Sequence, residues 1–415
     1  MLRFAAFLLI SILLAKAGAS TGLIGSYEYL LMIGGAVSFS WLGGFLTFYI
    51  SKTEIKSHAF WYKKTFNFLF IANVIVAVAM VLVYMFFKNS FFANVSTTTF
   101  SLFIVYHFAN NQSYINEHYL LSTDNQKHLL HYGLLNFFLI LVGAGFGFYY
   151  ISGLNGLLIG LAFVSIIKMI YSIIIYVQQN DSIQIQKAEV LSFLTQGLII
   201  SLSILLGSMG DYIDEFLVNF FYGNETYAVY KIGAREFPLL QLLTNSLATI
   251  LIVTVTKESL PDAMKIFKDK TAKLIRTIVP ILCILILGSK YLFPFFYNQH
   301  FNESAMYFNL YTLLVFSRFL FPQSIIIGLG MNKFLMIASV IECFTHVALS
   351  FILMKIFGVK GIIVGFLVSY FIDKILLMFF LYQQKKISPF EYTPVKDYLI
   401  GSLMIVVTIC LATVL

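Results

Sequence analysis

Apolar runs of about 20 residues recur along the whole chain, the length an α-helix needs to cross the hydrocarbon of a bilayer. Thirteen such runs can be drawn, separated by short polar gaps. Inside lipid every backbone donor and acceptor must be satisfied within the segment or by a closed barrel, and barrel strands need only about 9–11 residues. The runs are too long for strands, so they specify an all-α polytopic membrane protein. Composition agrees: 60% of the 415 residues are hydrophobic and 11% charged, with a mean hydropathy of +0.88, far from the balance of a soluble domain.

The formal charge of +8 does not point to nucleic acid, because of where the cations fall. Lys52, Lys56, Lys63 and Lys64 fill one gap between runs, and Lys257, Lys265, Lys268, Lys270, Lys273 and Arg276 surround another. Under the positive-inside rule these are cytoplasmic anchors, and they place the amino terminus inside and the carboxyl terminus outside if all thirteen runs span. Cys283, Cys343 and Cys410 lie in apolar runs, which argues against a disulfide framework or a zinc cluster. No phosphate-cradling glycine loop with a lysine and no nucleophile elbow occurs, so the chain is not expected to be an enzyme or to need a cofactor.

The amino-terminal run has the parts of a cleaved signal peptide. Keeping it as span 1 gives six spans before the centre, mirroring the second half, with Lys16 near its outer end. Four regions follow: a six-helix lobe over 1–177, a cytoplasmic linker over 178–189, a second six-helix lobe over 190–382, and a loop with a thirteenth helix over 383–415. Span 2 carries Gly34, Gly35, Gly43 and Gly44, small residues that let helices approach closely. Span 4 is read as 95–119, with His107 as an interior histidine, and span 10 as 304–328. Pro238 predicts a kink in span 8, and the amphipathic stretch 258–273 predicts an inside loop with a surface-lying helix.

The halves echo one another. Gly153, Gly156 and Gly160 recur as Gly358, Gly361 and Gly365 at an offset of 205 residues, and Gly25-Ser-Tyr27 recurs more weakly as Ala228-Val-Tyr230 at 203. Six spans separate the echoes, so both halves enter the membrane in the same orientation. Such parallel repeats are related by an axis along the membrane normal, and an alternating-access cavity falls at their interface.

Charges within spans are costly and mark that cavity or its gates. The basic candidates for substrate binding are Lys16, Lys168, Lys231, Arg235 and Arg318, with Lys374 beside them. The candidates for ion coupling or gating are Asp211, Asp214, Glu215, Glu342, His346 and Asp373, and Glu236 is a further acid. Asp211, Asp214 and Glu215 share one helical face if their helix is continuous, as do Lys231 and Arg235. The resulting cationic stripe has two readings, a phosphate ligand set or a salt bridge with Asp211 or Glu215. Arg318 has no acid near it in sequence and requires a partner from another helix or a wet cavity. Glu342 and His346, four apart, form a candidate proton-carrying pair or a core hydrogen bond.

The segments ILLAKAGASTGLIGSYEYLL at 12–31, Asp211-Tyr-Ile, TYAVYKIGA at 226–234 and FGVKGIIVG at 357–365 together resemble the polysaccharide and O-antigen flippase family. That family belongs to the multidrug/oligosaccharidyl-lipid/polysaccharide exporter superfamily, and the resemblance covers nearly the whole chain. It implies two six-helix lobes in pseudo-twofold repeat. It also implies movement of an undecaprenyl-diphosphate-linked glycan across a bacterial cytoplasmic membrane for O-antigen, capsule or exopolysaccharide synthesis. Membrane lipids and a polysaccharide polymerase complex are the partners it suggests, with coupling to H+ or Na+ left open. Tyr212 stands where the family often places a basic residue after the acid at 211. The alternatives are a cation-coupled multidrug or small-metabolite antiporter of the same superfamily and a non-transporting scaffold in a glycan assembly complex.

Overall fold

A computed structural model describes residues 2–38, 58–88, 92, 95–122, 126–151, 153–178 and 212–414. All regular structure among them is helical, and eight helices are long and apolar enough to cross a membrane, with a ninth formed by a pair bent by 41°. Their outward faces explain why the composition is so apolar. On the helix His58–Phe87, Ile71, Ile75, Met85 and Phe86 are 60–80% exposed, a stripe that water would not tolerate and lipid requires. The chain divides into two compact units: Met1–Ser208 with Gly223–Ala228, and Met209–Tyr222 with Val229–Leu415.

The first unit holds α1 (Leu2–Lys16), α2 (Thr21–Ala36), α3 (His58–Phe87), α4 (Thr97–Gln112), α5 (Tyr114–Ser122), α6 (Gln126–Phe146) and α7 (Gly153–Gln178). A left-handed Gly18 and the N-cap Ser20, whose hydroxyl accepts from the Leu23 amide, turn α1 into α2. Span 4 is not one helix. It breaks at Ser113 between α4 and α5, where the serine hydroxyl takes the Asn110 carbonyl at 2.6 Å. Polar side chains gather at that break, where Asn110, Asn111, Gln112, Ser113 and Asn116 are all buried. Between α6 and α7 the chain passes through a π-helical turn, Gly147–Ile151, and a left-handed Gly153. There Gly143 and Gly160 bring two backbones so close that a Cβ on Gly160 would lie 1.8 Å from the Gly143 carbonyl oxygen.

A helical run, α8 (212–233), interrupted by Gly223 at φ 80°, is divided between the units, with Gly223–Ala228 in the first and the rest in the second. After the non-helical stretch 234–237 come α9 (Pro238–Lys257) and α10 (Leu260–Phe296). The break predicted at Pro238 is present: the proline opens α9, where its missing donor costs nothing. The surface-lying helix expected over 258–273 is corrected. It is continuous with span 9 in a single helix of 37 residues, about 55 Å long at 1.5 Å per residue. Pro261 sits in its first turn and no glycine interrupts it before Gly288, so nothing stops the helix between the amphipathic stretch and the span. Ala263, Met264 and Phe267 on its first turns are buried in the same core as Leu251, Ile387 and Tyr392.

Span 10 is also broken, into α11 (Ser304–Thr312), α12 (Val315–Arg318) and α13 (Pro322–Gly328). The hairpin of α14 (Asn332–Phe357) and α15 (Val359–Lys385) turns on a left-handed Gly358, and Gly361 and Gly365 press against the backbone at Leu353 and Ser350. A short α16 (Pro389–Tyr392) precedes α17 (Val395–Val414), a helix of spanning length where the thirteenth run was drawn. Residues 39–57 and 179–211, which include Lys52, Lys56, Gly43, Gly44, nearly all of the expected linker and the expected bend at Gly207 and Gly210, lie outside the described residues.

Candidate functional site

In the first unit the buried cation is Lys168 on α7, 4% exposed, whose ammonium donates to the Asn110 side-chain carbonyl at 2.8 Å. Asn110 is available because α4 ends beside it. The same break organises a network of amides across α3, α4, α5 and α7. Asn73 donates to Gln112 at 3.0 Å, Asn111 donates to Asn73, Gln112 donates to the Phe66 carbonyl at 3.1 Å, and Asn116 donates to the Lys168 carbonyl at 3.3 Å. Such groups inside an apolar bundle are held by one another, since lipid offers no partner. His107 is interior, packed on Phe103, and its Nε2 has no hydrogen-bond partner among the described residues. Lys16 is exposed at the last position of α1. Glu28 on α2 is a buried acid the sequence reading passed over; it accepts from the Ser11 hydroxyl of α1.

Among its described residues the second unit holds three buried or half-buried ionic clusters, besides the pair of Arg276 with Asp397, where the arginine is exposed. Asp214 of α8 is 3% exposed, and one of its oxygens lies 2.7 Å from His346 Nε2 and 3.2 Å from the Ser350 hydroxyl, both on α14. Glu215, the next residue, pairs instead with Lys231 further along α8. The third cluster gathers around Arg318. Its Nε and Nη2 donate to the two oxygens of Glu236 at 2.7 and 3.0 Å, a bidentate fork, and its guanidinium stacks 5.1 Å from the Tyr370 ring. Lys374 stands on the same ring at 4.8 Å and donates to Asp373 at 3.1 Å and to the Gln323 side chain at 3.5 Å.

A cavity of about 290 Å³ opens beside this third cluster. It is lined by Thr244, Asn245, Ala248, Thr249 and Ile252 of α9, by Ser317 and Arg318 of α12, by Leu320 and Phe321, by Gln323, Ser324 and Ile327 of α13, and by Tyr370 and Lys374 of α15. Its two charged wall residues are both cations, and the acids that hold them, Glu236 and Asp373, stand outside the lining. The broken span makes this arrangement. The short α12 ends at Arg318, α13 restarts at Pro322, and the interruption leaves hydroxyls and an amide facing the space between α9 and α15.

Two expectations are corrected by this geometry, and Arg318 is given the distant partner it required. Lys231 and Arg235 do not form a helical stripe, because α8 ends at 233 and Arg235 sits half-buried in the extended stretch before Pro238. Arg318 does have an acid, Glu236, 82 residues away in sequence and brought to it by that same break. His346 takes Asp214 as its partner rather than Glu342, which is half-buried one turn earlier on α14. Asp211 lies outside the described residues, so its place on a shared face with Asp214 and Glu215 has no structural account. Asp214 and Glu215 themselves engage different helices. The one sequence signal for Glu236 as a partner was its position two residues before a helix-starting proline.

The fold that carries these clusters is similar to that of several solved membrane-protein structures. A structure of the lipid II flippase MurJ in an inward closed conformation superposes with a TM-score of 0.66 at 14% identity, covering 99% of this chain and 91% of that one. An inward-facing multidrug resistance MATE family transporter of the MOP superfamily gives 0.65 at 14% identity, covering 98% and 94%. A MOP superfamily transporter from Pyrococcus furiosus Vc1 (DSM3638), described as having a binding pocket of reversed polarity, gives 0.60 at 13% identity, covering 98% and 93%. No family model and no curated protein sequence matches the chain.

Proposed function

We propose that this chain is an alternating-access transporter, not an enzyme, that carries an undecaprenyl-diphosphate-linked oligosaccharide across a bacterial cytoplasmic membrane for surface polysaccharide synthesis. The observation that carries the reading is the pair of cations on the cavity wall of the second unit, Arg318 and Lys374, whose acids stand outside that lining. Lys168 in one unit and Arg318 with Lys374 in the other are cations kept inside apolar helical bundles, each oriented by a specific side chain. Cations at membrane depth are expensive and suit a substrate whose polar part is anionic. Flipping such a lipid requires no bond chemistry, only a polar path for the head while the tail stays in hydrocarbon. Likeness in fold to a structure described as a lipid II flippase supports the reading.

The proposal includes two parallel six-helix lobes, over 1–177 and 190–382, joined by the 178–189 linker and followed by the helix at the carboxyl end. Left-handed glycines support the duplication: Gly18 and Gly223 have φ of 78° and 80°, Gly153 and Gly358 have 68° and 62°, and both pairs are 205 residues apart. A polymerase complex is the partner such a transporter would hand its product to.

A second reading, a cation-coupled multidrug or small-metabolite antiporter, is favoured by the buried Asp214–His346 pair, which offers a proton-binding site, and by likeness to multidrug MATE structures. Reconstitution separates the two. Purified protein in liposomes is expected to move undecaprenyl-diphosphate-linked sugars between leaflets, and the Arg318→Ala variant to lose that movement. Proton- or sodium-driven drug exchange with no lipid translocation would sink the flippase and establish the antiporter.

A further inference from the structure

We infer that the cavity within the second unit is a receptor for a single phosphate or diphosphate group, with Arg318 and Lys374 as its binding cations and Glu236 and Asp373 as positioning residues. The inference deepens the proposed function and rests on that reading only for the lipid origin of the phosphate.

Guanidinium chemistry makes the first step. Glu236 occupies the fork formed by Nε and Nη2 of Arg318, and a guanidinium has a second, end-on fork of parallel N–H donors. Arg318 lines the cavity while Glu236 does not, so the carboxylate holds the arginine from behind and leaves that second fork for a ligand. Lys374 repeats the arrangement, with Asp373 behind it and the ammonium at the wall. Tyr370 lies under both cations and fixes their separation through the face of one ring. Gln323, whose side-chain oxygen accepts from Lys374, adds a neutral amide donor at the same space, while the hydroxyls of Thr249 and Ser317 donate to the carbonyls of Asn245 and Leu314.

Charge and size then narrow the ligand. The two cations and two acids sum to zero, so attraction comes from donors already oriented rather than from net charge, which favours an anion able to take several hydrogen bonds at once. A tetrahedral oxyanion does this, and arginine meets it bidentately. At about 290 Å³ the cavity stands at the low end of the roughly 300–1,000 Å³ of small-molecule sites. It admits a phosphate or diphosphate and is too small for an oligosaccharide, so the sugars of a lipid-linked glycan would have to be accommodated elsewhere.

The test is calorimetric titration of the purified full-length protein in detergent with pyrophosphate and with geranyl diphosphate. Both are expected to bind, and Arg318→Gln and Lys374→Gln each to weaken binding by about ten- to a hundredfold, the loss of charge-assisted hydrogen bonds. Because Arg318→Gln strands Glu236 and can unfold the unit, Thr249→Phe is the companion variant. It fills the cavity without touching either ion pair and should abolish binding while leaving the thermal midpoint of the ligand-free protein in place. Glu236→Gln should weaken pyrophosphate binding less than Arg318→Gln. Tighter binding of geranyl diphosphate than of pyrophosphate assigns the phosphate to a lipid, and equal binding assigns it to a free anion. No binding of either, or binding that survives Thr249→Phe, overturns the site. A transporter that binds pyrophosphate here yet flips no lipid refutes the flippase reading alone.

Discussion

Asp214 receives both His346 and Ser350 on one oxygen and is almost fully buried, so the imidazole is the partner whose loss strands a carboxylate in an apolar bundle. Breaking a buried pair from one side costs about 3–5 kcal/mol, whereas losing one ordinary hydrogen bond costs about 1 kcal/mol. His346→Ala is therefore expected to lower the apparent unfolding midpoint in detergent several times further than Ser350→Ala. Equal losses would mean that the contact is no more than a hydrogen bond. The residue scale is also where sequence reading reached least far. The residues of the three principal ion pairs stand 16, 82 and 132 residues apart, for Glu215–Lys231, Glu236–Arg318 and Asp214–His346. The i, i+4 rule offered Glu342 to His346 and a shared face to Lys231 and Arg235, because helical spacing is the one geometry a sequence displays. It carries no information on which helix packs opposite, nor that α8 stops at 233.

Elements were more legible, because the bilayer dictates their length and apolar face directly. The runs drawn at 154–177 and 361–382 stand as the helices Gly153–Gln178 and Val359–Lys385, whereas the one drawn at 65–87 begins earlier, at His58, and takes Lys63 and Lys64 out of the expected gap into the helix. Breaks were less so: Pro238 was visible, but the interruptions at Ser113, whose hydroxyl donates to the Asn110 carbonyl, and around Phe319, just before Pro322, were read as continuous spans. The glycine spacing did announce the close hairpins. A methyl on Gly160 would lie 1.8 Å from the Gly143 oxygen, and one on Gly365 would lie 2.6 Å from the Ser350 nitrogen, whereas one on Gly145 would meet nothing within 4 Å. Overpacking of this kind costs about 1–3 kcal/mol or separates the helices, while alanine in an open helical position gains up to about 1 kcal/mol. Gly160→Ala and Gly365→Ala should each lower the unfolding midpoint, with Gly145→Ala at or above the parent. A neutral Gly160→Ala would mean that α6 and α7 are not in backbone contact.

At the scale of the whole molecule, the proposed parallel duplication makes a claim about sidedness that composition alone does not. If the halves repeat in the same orientation, residues 205 apart must face the same side of the membrane, whatever the number of spans between them. The left-handed glycines supply the register. Ala17 and Tyr222 flank the first pair, Tyr150 and Lys355 precede the second, and all four are exposed. The lysine-rich start of α10, including exposed Lys268, belongs on the opposite, cytoplasmic side by the positive-inside rule. In a background with Cys283, Cys343 and Cys410 replaced by serine, single cysteines at 17, 222, 150 and 355 should react with a membrane-impermeant maleimide from outside intact cells. Lys268→Cys should react only after the membrane is opened. The proposed parallel repeat requires both pairs to label alike. Opposite sidedness of Tyr150→Cys and Lys355→Cys would make the repeat inverted, and the alternating-access geometry would have to be rebuilt around an axis in the membrane plane.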